Sequence, residues 1–406
     1  MEINPENRKR IAIVYPFPNI DSVPSLCSAS VLFADHGYKV DIYTYTDDKH
    51  VLPEFEQERI TVISAHNPTY RKGSTGRFIL GKIYWTYCRF VWLVQFAIRH
   101  GTTPHACMVA VDPSGLVLAN FLNRLIGVRM VYYSLELLLS YELITDEDRV
   151  LKERERRLVG KVAFAVAPDA ERAEILSRDS GVPLEKILCV PNSPLGLAER
   201  KRSNYLRERF DIPSDTIIIL NAGSLSVWSC VPELIKSTQD WPDDWVLVCH
   251  ARNDWYKMNR DYIHALRCLA KPGRLIFSFD PLPRKEYPML VRSADIGVAF
   301  YNVQDGNTYT KDNILHIGLS SGKLAYYLQA GLPVLVNGNP SLSRLVKTHE
   351  CGEVSENPES TAGSIRGILR NYEKYSGNSI ELFNRELQYE SGFGNVLRNV
   401  ETFCKP

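Results

Sequence analysis

What the sequence lacks narrows it first. Its nine cysteines stand at 27, 88, 107, 189, 230, 249, 268, 351 and 404, an odd count with no CxxC pair. That speaks against a disulfide framework or a zinc site and fits a reducing compartment. No apolar run is long enough to span a bilayer; the nearest, Ile83 to Ile98, is short and holds Arg89. The N-terminal apolar run Ile11–Val14 ends at Tyr15 and Pro16, the pattern of a strand rather than a signal-peptide core, so a cytoplasmic protein is expected. Charge of one sign is absent too: 48 Lys and Arg face 47 Asp and Glu. No nucleic-acid partner is therefore expected, and attraction to any anionic surface is left to a local patch. There is no GxSxG, HExxH or P-loop, and no aspartate pair that reads as a metal site.

What is present is an α/β alternation. Hydrophobic residues make up 45% and charged residues 23% of 406, a globular composition long enough for two domains of about 200 residues each. IAIV (11–14), VDIYTY (40–45), CMVAV (107–111), VRMVYYS (128–134) and VAFAVA (162–167) alternate with helical patterns. Near-continuously apolar strands of this kind predict a parallel sheet covered on both faces. After VPNSPLG (190–196) comes a charged stretch without periodicity, and the alternation restarts at TIIILNAGS (216–224). WVLVCHA (245–251), RLIFSFD (274–280), DIGVAFY (295–301) and LPVLVN (332–337) follow. The expected organisation is an N-terminal domain over 1–196, a linker over 197–215 and a second domain over 216–378. A long terminal helix within 379–406 is expected to pack back on the first domain. Two doubly wound sheets in series imply a cleft, with ligands at the carboxyl ends of the strands.

The most informative segment is HIGLSSGKLAYYLQAGLPVLVNG (316–338). Ser320, Ser321 and Gly322 lead into a helix over about Lys323 to Ala330, which Gly331 and Pro333 end. Such a start offers unpaired N–H groups and a positive dipole end to a phosphate, and Lys323 adds a full charge. The plainer reading is an N-cap beside a solvated lysine.

This segment resembles the donor-binding segment of family-4-type GT-B glycosyltransferases (glycosyl transferases group 1), S-x-x-K-L-x-E-Y-x-x-x-G-x-P-V. Ser320, Lys323, Leu324, Tyr327, Gly331, Pro333 and Val334 match. ERERRLVGKVAFAVAPDAERAEIL (153–176), EKILCVPNSP (185–194), LNAGSLS (220–226) and LVRSADIGVAFY (290–301) resemble further blocks of the family in its order. The resemblance implies the GT-B architecture, two Rossmann-like doubly wound parallel-sheet domains facing a cleft. It also implies transfer of a sugar from a nucleoside-diphosphate sugar to a glycan or glycolipid acceptor, with retention and without a divalent metal. The donor is a substrate, and no cofactor is implied. A setting in surface polysaccharide or glycolipid assembly follows. Donor contacts are carried to Gly223, Ser224, Ser320, Ser321, Gly322, Lys323, Leu324 and Tyr326; Arg252, in the loop after WVLVCHA, reads by topology as a phosphate or base contact, or else as a surface arginine. Lys323, with the helix dipole, would stabilise the leaving diphosphate.

The sequence departs from the family at both acids of E-x7-E: Tyr326 and Gly318 stand in their places. The usual glycine-rich acceptor loop is replaced by NIDSVPSL (19–26), and a frequent histidine by Leu135 with Glu136 beside it. On the acceptor side, near Ser22, two carboxylates are candidates. Asp112 reads either as the N-cap of its own helix or as a cleft-facing carboxylate; Glu136 reads either as a surface residue or as a group that stabilises positive charge on the sugar ring. Two other readings stand: a degenerate GT-B scaffold that binds without transferring, and a sugar-nucleotide epimerase on the same fold.

Residues 71–99 stand apart. Seven aromatics interleave there with Arg71, Lys72, Arg77, Lys82, Arg89 and Arg99. They read either as a buried or oligomer-contact helix, apolar almost all round, or as a surface for an anionic membrane at its inner, cytoplasmic face.

Overall fold

The computed structural model describes residues 9–403 apart from 49, 67–74, 253–258, 280–281 and 307, and only the backbone of 75–82. The chain divides into two compact units, 1–190 with 390–406 and 191–389.

The first unit holds a sheet of seven strands: β1 (Arg10–Tyr15), β2 (Lys39–Thr46), β3 (Ile60–His66), β4 (His105–Val111), β5 (Arg129–Tyr133), β6 (Phe164–Ala167) and β7 (Ile187–Cys189). Their spatial order is β3-β2-β1-β4-β5-β6-β7 and every pairing is parallel. β1 and β4 are buried along their whole length, because helices cover both faces of a doubly wound sheet. The second unit repeats the plan with β8 (Ile217–Ala222), β9 (Trp245–His250), β10 (Leu275–Ser278), β11 (Ile296–Ala299), β12 (Val334–Asn337) and β13 (Gly352–Ser355). These run parallel in the order β10-β9-β8-β11-β12-β13. In each sheet the order reverses beside the first strand, between β1 and β4 and between β8 and β11. Loops diverge at such a reversal and leave a crevice at the strands' carboxyl ends. β3, β7 and β13 are short or only partly buried and gave no continuous apolar run to read.

Among the described residues of the helix Thr75–Thr102, the fully buried and the most exposed apolar side chains lie on opposite faces. Cys88, Trp92 and Phe96 are buried. Trp92 stacks on Tyr45 at 4.9 Å, and Phe96 meets Tyr43 at 6.3 Å. Its C-terminal end is tied to the sheet by Arg99, which donates to Asp41 (2.8 Å), the same buried carboxylate that takes two bonds from Arg10. Opposite the buried face, Ile83, Tyr87, Phe90, Val94 and Ile98 stand 42–63% exposed. Their spacing of three and four residues puts them in one stripe along the helix. Arg71 and Lys72 lie outside the described residues, as do the side chains of Arg77 and Lys82.

The expected single helix over Ser379–Phe403 is broken. A helix Tyr372–Leu382 passes into one π turn, Phe383–Leu387; Gln388 is extended, and a new helix runs Tyr389–Thr402. The two halves serve different cores. Phe383 and Leu387 are buried in the second unit, whereas Phe393 packs edge-on against Phe33 in the first, 4.9 Å between centroids. The charged stretch after Gly196 is stapled to the second unit. Leu206 of the helix Tyr205–Phe210 is fully buried, and Asp295 takes Arg202 (3.1 Å) and the N–H of Ile218 (2.9 Å).

The helix Gly322–Gln329 is fixed by Tyr327. Its buried hydroxyl donates to the Leu220 carbonyl (3.1 Å) and accepts from the Ala222 N–H (2.8 Å), both on β8. The ring lies over β11 at Gly297, where a Cβ would stand 2.4 Å from it. Tyr327→Phe leaves both backbone groups buried without that partner. It should lower the stability of the protein by about 1–3 kcal/mol in urea denaturation.

Candidate functional site

The reversal between β8 and β11 collects most of the donor candidates. β8 ends Asn221-Ala222, and Gly223 follows with φ +146. A side chain there is disfavoured by this backbone conformation and would crowd the Lys323 stem, 3.3 Å from where a Cβ would sit. Lys323 Nζ donates to Asn221 Oδ1 (3.1 Å) and lies 5.1 Å from the Tyr301 ring centre. Lys323 is half-buried as a residue, with its ammonium end among these groups. Burial holds its pKa down at about 8, because no carboxylate among the described residues offsets the lost hydration.

Two features give this lysine something to do. Asn221 is fully buried and its Nδ2 has no hydrogen-bond partner among the described residues, a rare condition for a buried amide. Ser321 caps the helix, its Oγ accepting the N–H of Leu324 (3.2 Å) and meeting the Tyr301 hydroxyl (2.7 Å). A helix cannot satisfy its first N–H groups from within. With that of Leu324 taken by the cap, those of Gly322 and Lys323 remain. An ammonium, an orphan amide N–H and a helix start are an anion-binding set.

The other donor candidates divide. Ser224 belongs to the turn behind Gly223: its Oγ meets Ser226 Oγ (2.7 Å) and its carbonyl takes the Ser229 hydroxyl. Ser320 closes a short 3-10 turn, and its carbonyl accepts from Asn192 Nδ2. The Leu324 side chain is fully buried, so only its backbone stands at the helix start. Arg252, after β9, lies over the Tyr287 ring at 5.0 Å and donates to the Leu282 carbonyl. Tyr326 is buried edge-on against the same ring at 4.7 Å. Tyr287 thus connects Arg252 to the helix that carries Lys323. His250, at the end of β9, is buried with Nδ1 at 3.0 Å from the Ser278 hydroxyl.

Sequence reasoning missed Asn221, Tyr301, Trp228 and Tyr287. Trp228 stacks on Tyr301 at 5.8 Å, and its carbonyl takes the Asn302 N–H. A signal existed for Asn221, a polar residue at the carboxyl end of an otherwise apolar strand. None existed for Trp228 and Tyr287, which tertiary packing brings in from separate loops.

In the first unit the corresponding reversal holds Asp112, directly after β4, and Glu136, after β5. Here one expectation is corrected: Asp112 does not cap its own helix. Val111 holds the cap position and Asp112 is the first helical residue, with φ +55. Its Oδ1 instead accepts the N–H groups of Leu135 (2.8 Å) and Glu136 (2.9 Å), tying the end of β4 to the loop after β5. Asp112 makes that contact from a left-handed backbone, which is strained for a non-glycine residue. Burial, followed by repulsion from Glu136, pushes the Asp112 carboxyl up to about 7. Glu136 is exposed, and Ser22 lies exposed at the end of a short 3-10 turn.

The raised Asp112 pKa has a defined pH signature. The folded chain keeps a proton that the unfolded chain releases near pH 4. This group's contribution is therefore fully present below pH 4 and lost as pH rises to about 7. The stability difference between the wild type and Asp112→Asn should shift against the wild type across that window, on the order of 4 kcal/mol for three pKa units. Urea denaturation of both proteins at pH 4, 5.5 and 7.5 measures it; a difference constant with pH would place the pKa elsewhere.

Among the described residues no three His, Cys, Asp or Glu side chains group closely enough to hold a metal ion. Among those residues, too, no helix is long and apolar enough to cross a membrane. No protein-family model and no curated protein matches the sequence. Solved structures do match. HepE from Anabaena, in complex with UDP and glucose, superposes with TM-score 0.69 at 14% identity, over 97% of this chain and 100% of its own. Sucrose-phosphate synthase from Thermosynechococcus elongatus gives 0.71 at 13%, over 97% and 100%. WaaG, a glycosyltransferase involved in lipopolysaccharide biosynthesis, gives 0.63 at 15%, over 95% and 98%. At such identities the likeness is one of fold, and with two doubly wound parallel sheets in series the chain has the GT-B fold.

Proposed function

We propose that the protein is a glycosyltransferase whose second unit binds a nucleoside-diphosphate sugar and whose first unit presents the acceptor. The observation that carries the reading is the half-buried Lys323, beside the orphan Nδ2 of Asn221 at a helix start. Keeping a cation out of water without a carboxylate is costly unless an anion arrives. A diphosphate supplies that anion. The arrangement favours the departing diphosphate over the bound donor, since negative charge grows there as the glycosidic bond breaks. This role needs no divalent metal. Solved structures of the same fold include complexes with UDP and with UDP-glucose, which supports a nucleotide-sugar substrate. On the acceptor side we assign Asp112 and Glu136. The exposed Glu136 would stabilise the oxocarbenium-like sugar, and Asp112 would hold the loop that carries it. Transfer with retention, to a glycan or glycolipid of a surface polysaccharide, completes the reading.

One observation favours a rival. Tyr326 and Gly318 stand where the resembling family has two acids, and Tyr326 is buried against Tyr287. A scaffold that binds but does not transfer fits that loss; hydrolysis of one sugar nucleotide from a panel would exclude it.

The same reading sets the protein at the cytoplasmic face of an anionic membrane, through the apolar stripe of the helix Thr75–Thr102. The stripe's two aromatics suit the interfacial region.

Two outcomes are expected. A nucleoside diphosphate should raise the thermal midpoint, by roughly 2.7 kcal/mol of stabilisation at a hundredfold excess over Kd, and Lys323→Ala should remove most of that shift. With the lysine titrating near 8, affinity should fall about tenfold from pH 7 to pH 9, the drop in its protonated fraction. Lys323→Arg should flatten the profile. No shift with nucleoside diphosphates of any base would defeat the donor assignment. For the membrane contact, the protein should co-sediment with anionic vesicles at low salt, more weakly at 1 M, and Tyr87→Asp with Phe90→Asp should abolish it.

A further inference from the structure

In the first unit the helices Thr75–Thr102, Asp112–Leu122 and Asp146–Val159 line a cavity of about 1170 Å³. Pockets for compact small molecules are about 300–1,000 Å³, so this one suits a longer ligand. It is walled by Tyr45, Trp85, Leu118, Phe121, Leu151 and Leu158.

The rim has a different character. Arg89, Arg124, Arg154, Arg157 and Lys161 line the cavity against two carboxylates, Asp146 and Glu147. Five cations to two acids is a local excess in a chain whose net charge is only +1. All five are exposed at their ends, as long basic side chains are when their stems cover apolar surface. Arg157 pairs with Glu153, and Asp146 is held by Arg149 from outside the cavity. Arg154 and Lys161 have no ion-pair partner among the described residues. The rim also adjoins the exposed stripe: Thr86 and Arg89 line the cavity, while their neighbours Tyr87 and Phe90 face solvent.

An apolar trough with a cationic lip is complementary to one chemistry. We propose that this groove binds a single anionic amphiphile, a hydrocarbon chain ending in a phosphate, with the chain along Trp85, Leu118 and Leu151 and the phosphate between Arg154 and Lys161. The site lies wholly in the first unit. It deepens the sugar-transfer reading by giving the acceptor's class, a lipid phosphate, and as a binding site it stands apart from it.

The test titrates the full chain with decyl phosphate below its micelle concentration, by calorimetry. Saturable binding of one molecule is expected. Affinity should rise roughly tenfold for each two carbons added from hexyl to decyl phosphate, since each buried methylene adds favourable transfer energy. Inorganic phosphate and uncharged decyl maltoside should bind at least tenfold more weakly than decyl phosphate. Arg154→Gln with Lys161→Gln, and separately Val150→Asp, should each weaken decyl phosphate at least fivefold. All three are exposed, and a retained thermal midpoint will show that the variants fold. Absence of saturable binding overturns the proposal, as does equal affinity for decyl maltoside or inorganic phosphate, or unchanged affinity in both variants. Nucleoside diphosphate is titrated in parallel. Decyl phosphate binding without nucleotide binding would sink the sugar-transfer reading and leave the groove; the reverse would sink the groove alone.

Discussion

One phenol sets the geometry of the second unit's site. The Tyr327 hydroxyl bridges a carbonyl and an N–H of β8, and its ring occupies the space that Gly297 leaves on β11. The helix Gly322–Gln329 is thereby locked against both strands at which the sheet order reverses. Its first turn must then lie over the loop after β8, and Lys323 reaches Asn221 and Gly223. A longer residue at 297 or an unbonded ring at 327 would free the helix from that register. Lys323 and the helix start are thus held by a core contact below them, and precise positioning of that kind is what the proposed stabilisation of a leaving diphosphate requires.

The two units use one topology for opposite charge. At the reversal in the second, a cation is kept half out of water with no carboxylate among the described residues to balance it. In the first, the buried Asp112 and the exposed Glu136 stand close enough that one raises the pKa of the other. Both arrangements cost stability in the absence of ligand.

The helix Thr75–Thr102 has three surfaces with separate tasks. One buries Trp92 and Phe96 against β2; one flanks the basic-rimmed groove; one faces solvent with five apolar side chains. Its anchor is electrostatic, through Arg99 on the buried Asp41. The solvent stripe is thereby held at a fixed angle to the groove.

The sequence by itself determined the strand–helix alternation, the two sheets, and the helix start at Ser321-Gly322-Lys323 with its stop at Gly331. These follow from local pattern: apolar runs, a cap, a glycine and a proline. It also singled out Lys323 as the charged residue at that helix start. Tertiary structure decided what surrounds that lysine. Asn221, Tyr301, Trp228 and Tyr287 come from four separate segments, and only chain crossing brings them to one helix; no periodicity records a meeting of distant loops. It decided that Asp112 serves a neighbouring loop rather than its own helix, because a positive φ is not written in an Asp-Pro pair. It split the terminal segment at Gln388, where the sequence shows no breaker, because the residues on either side bury in different cores. Local pattern fixes which segments form helices and strands; which side chains face each other across a crevice depends on how those segments pack, and that information is spread over the whole chain.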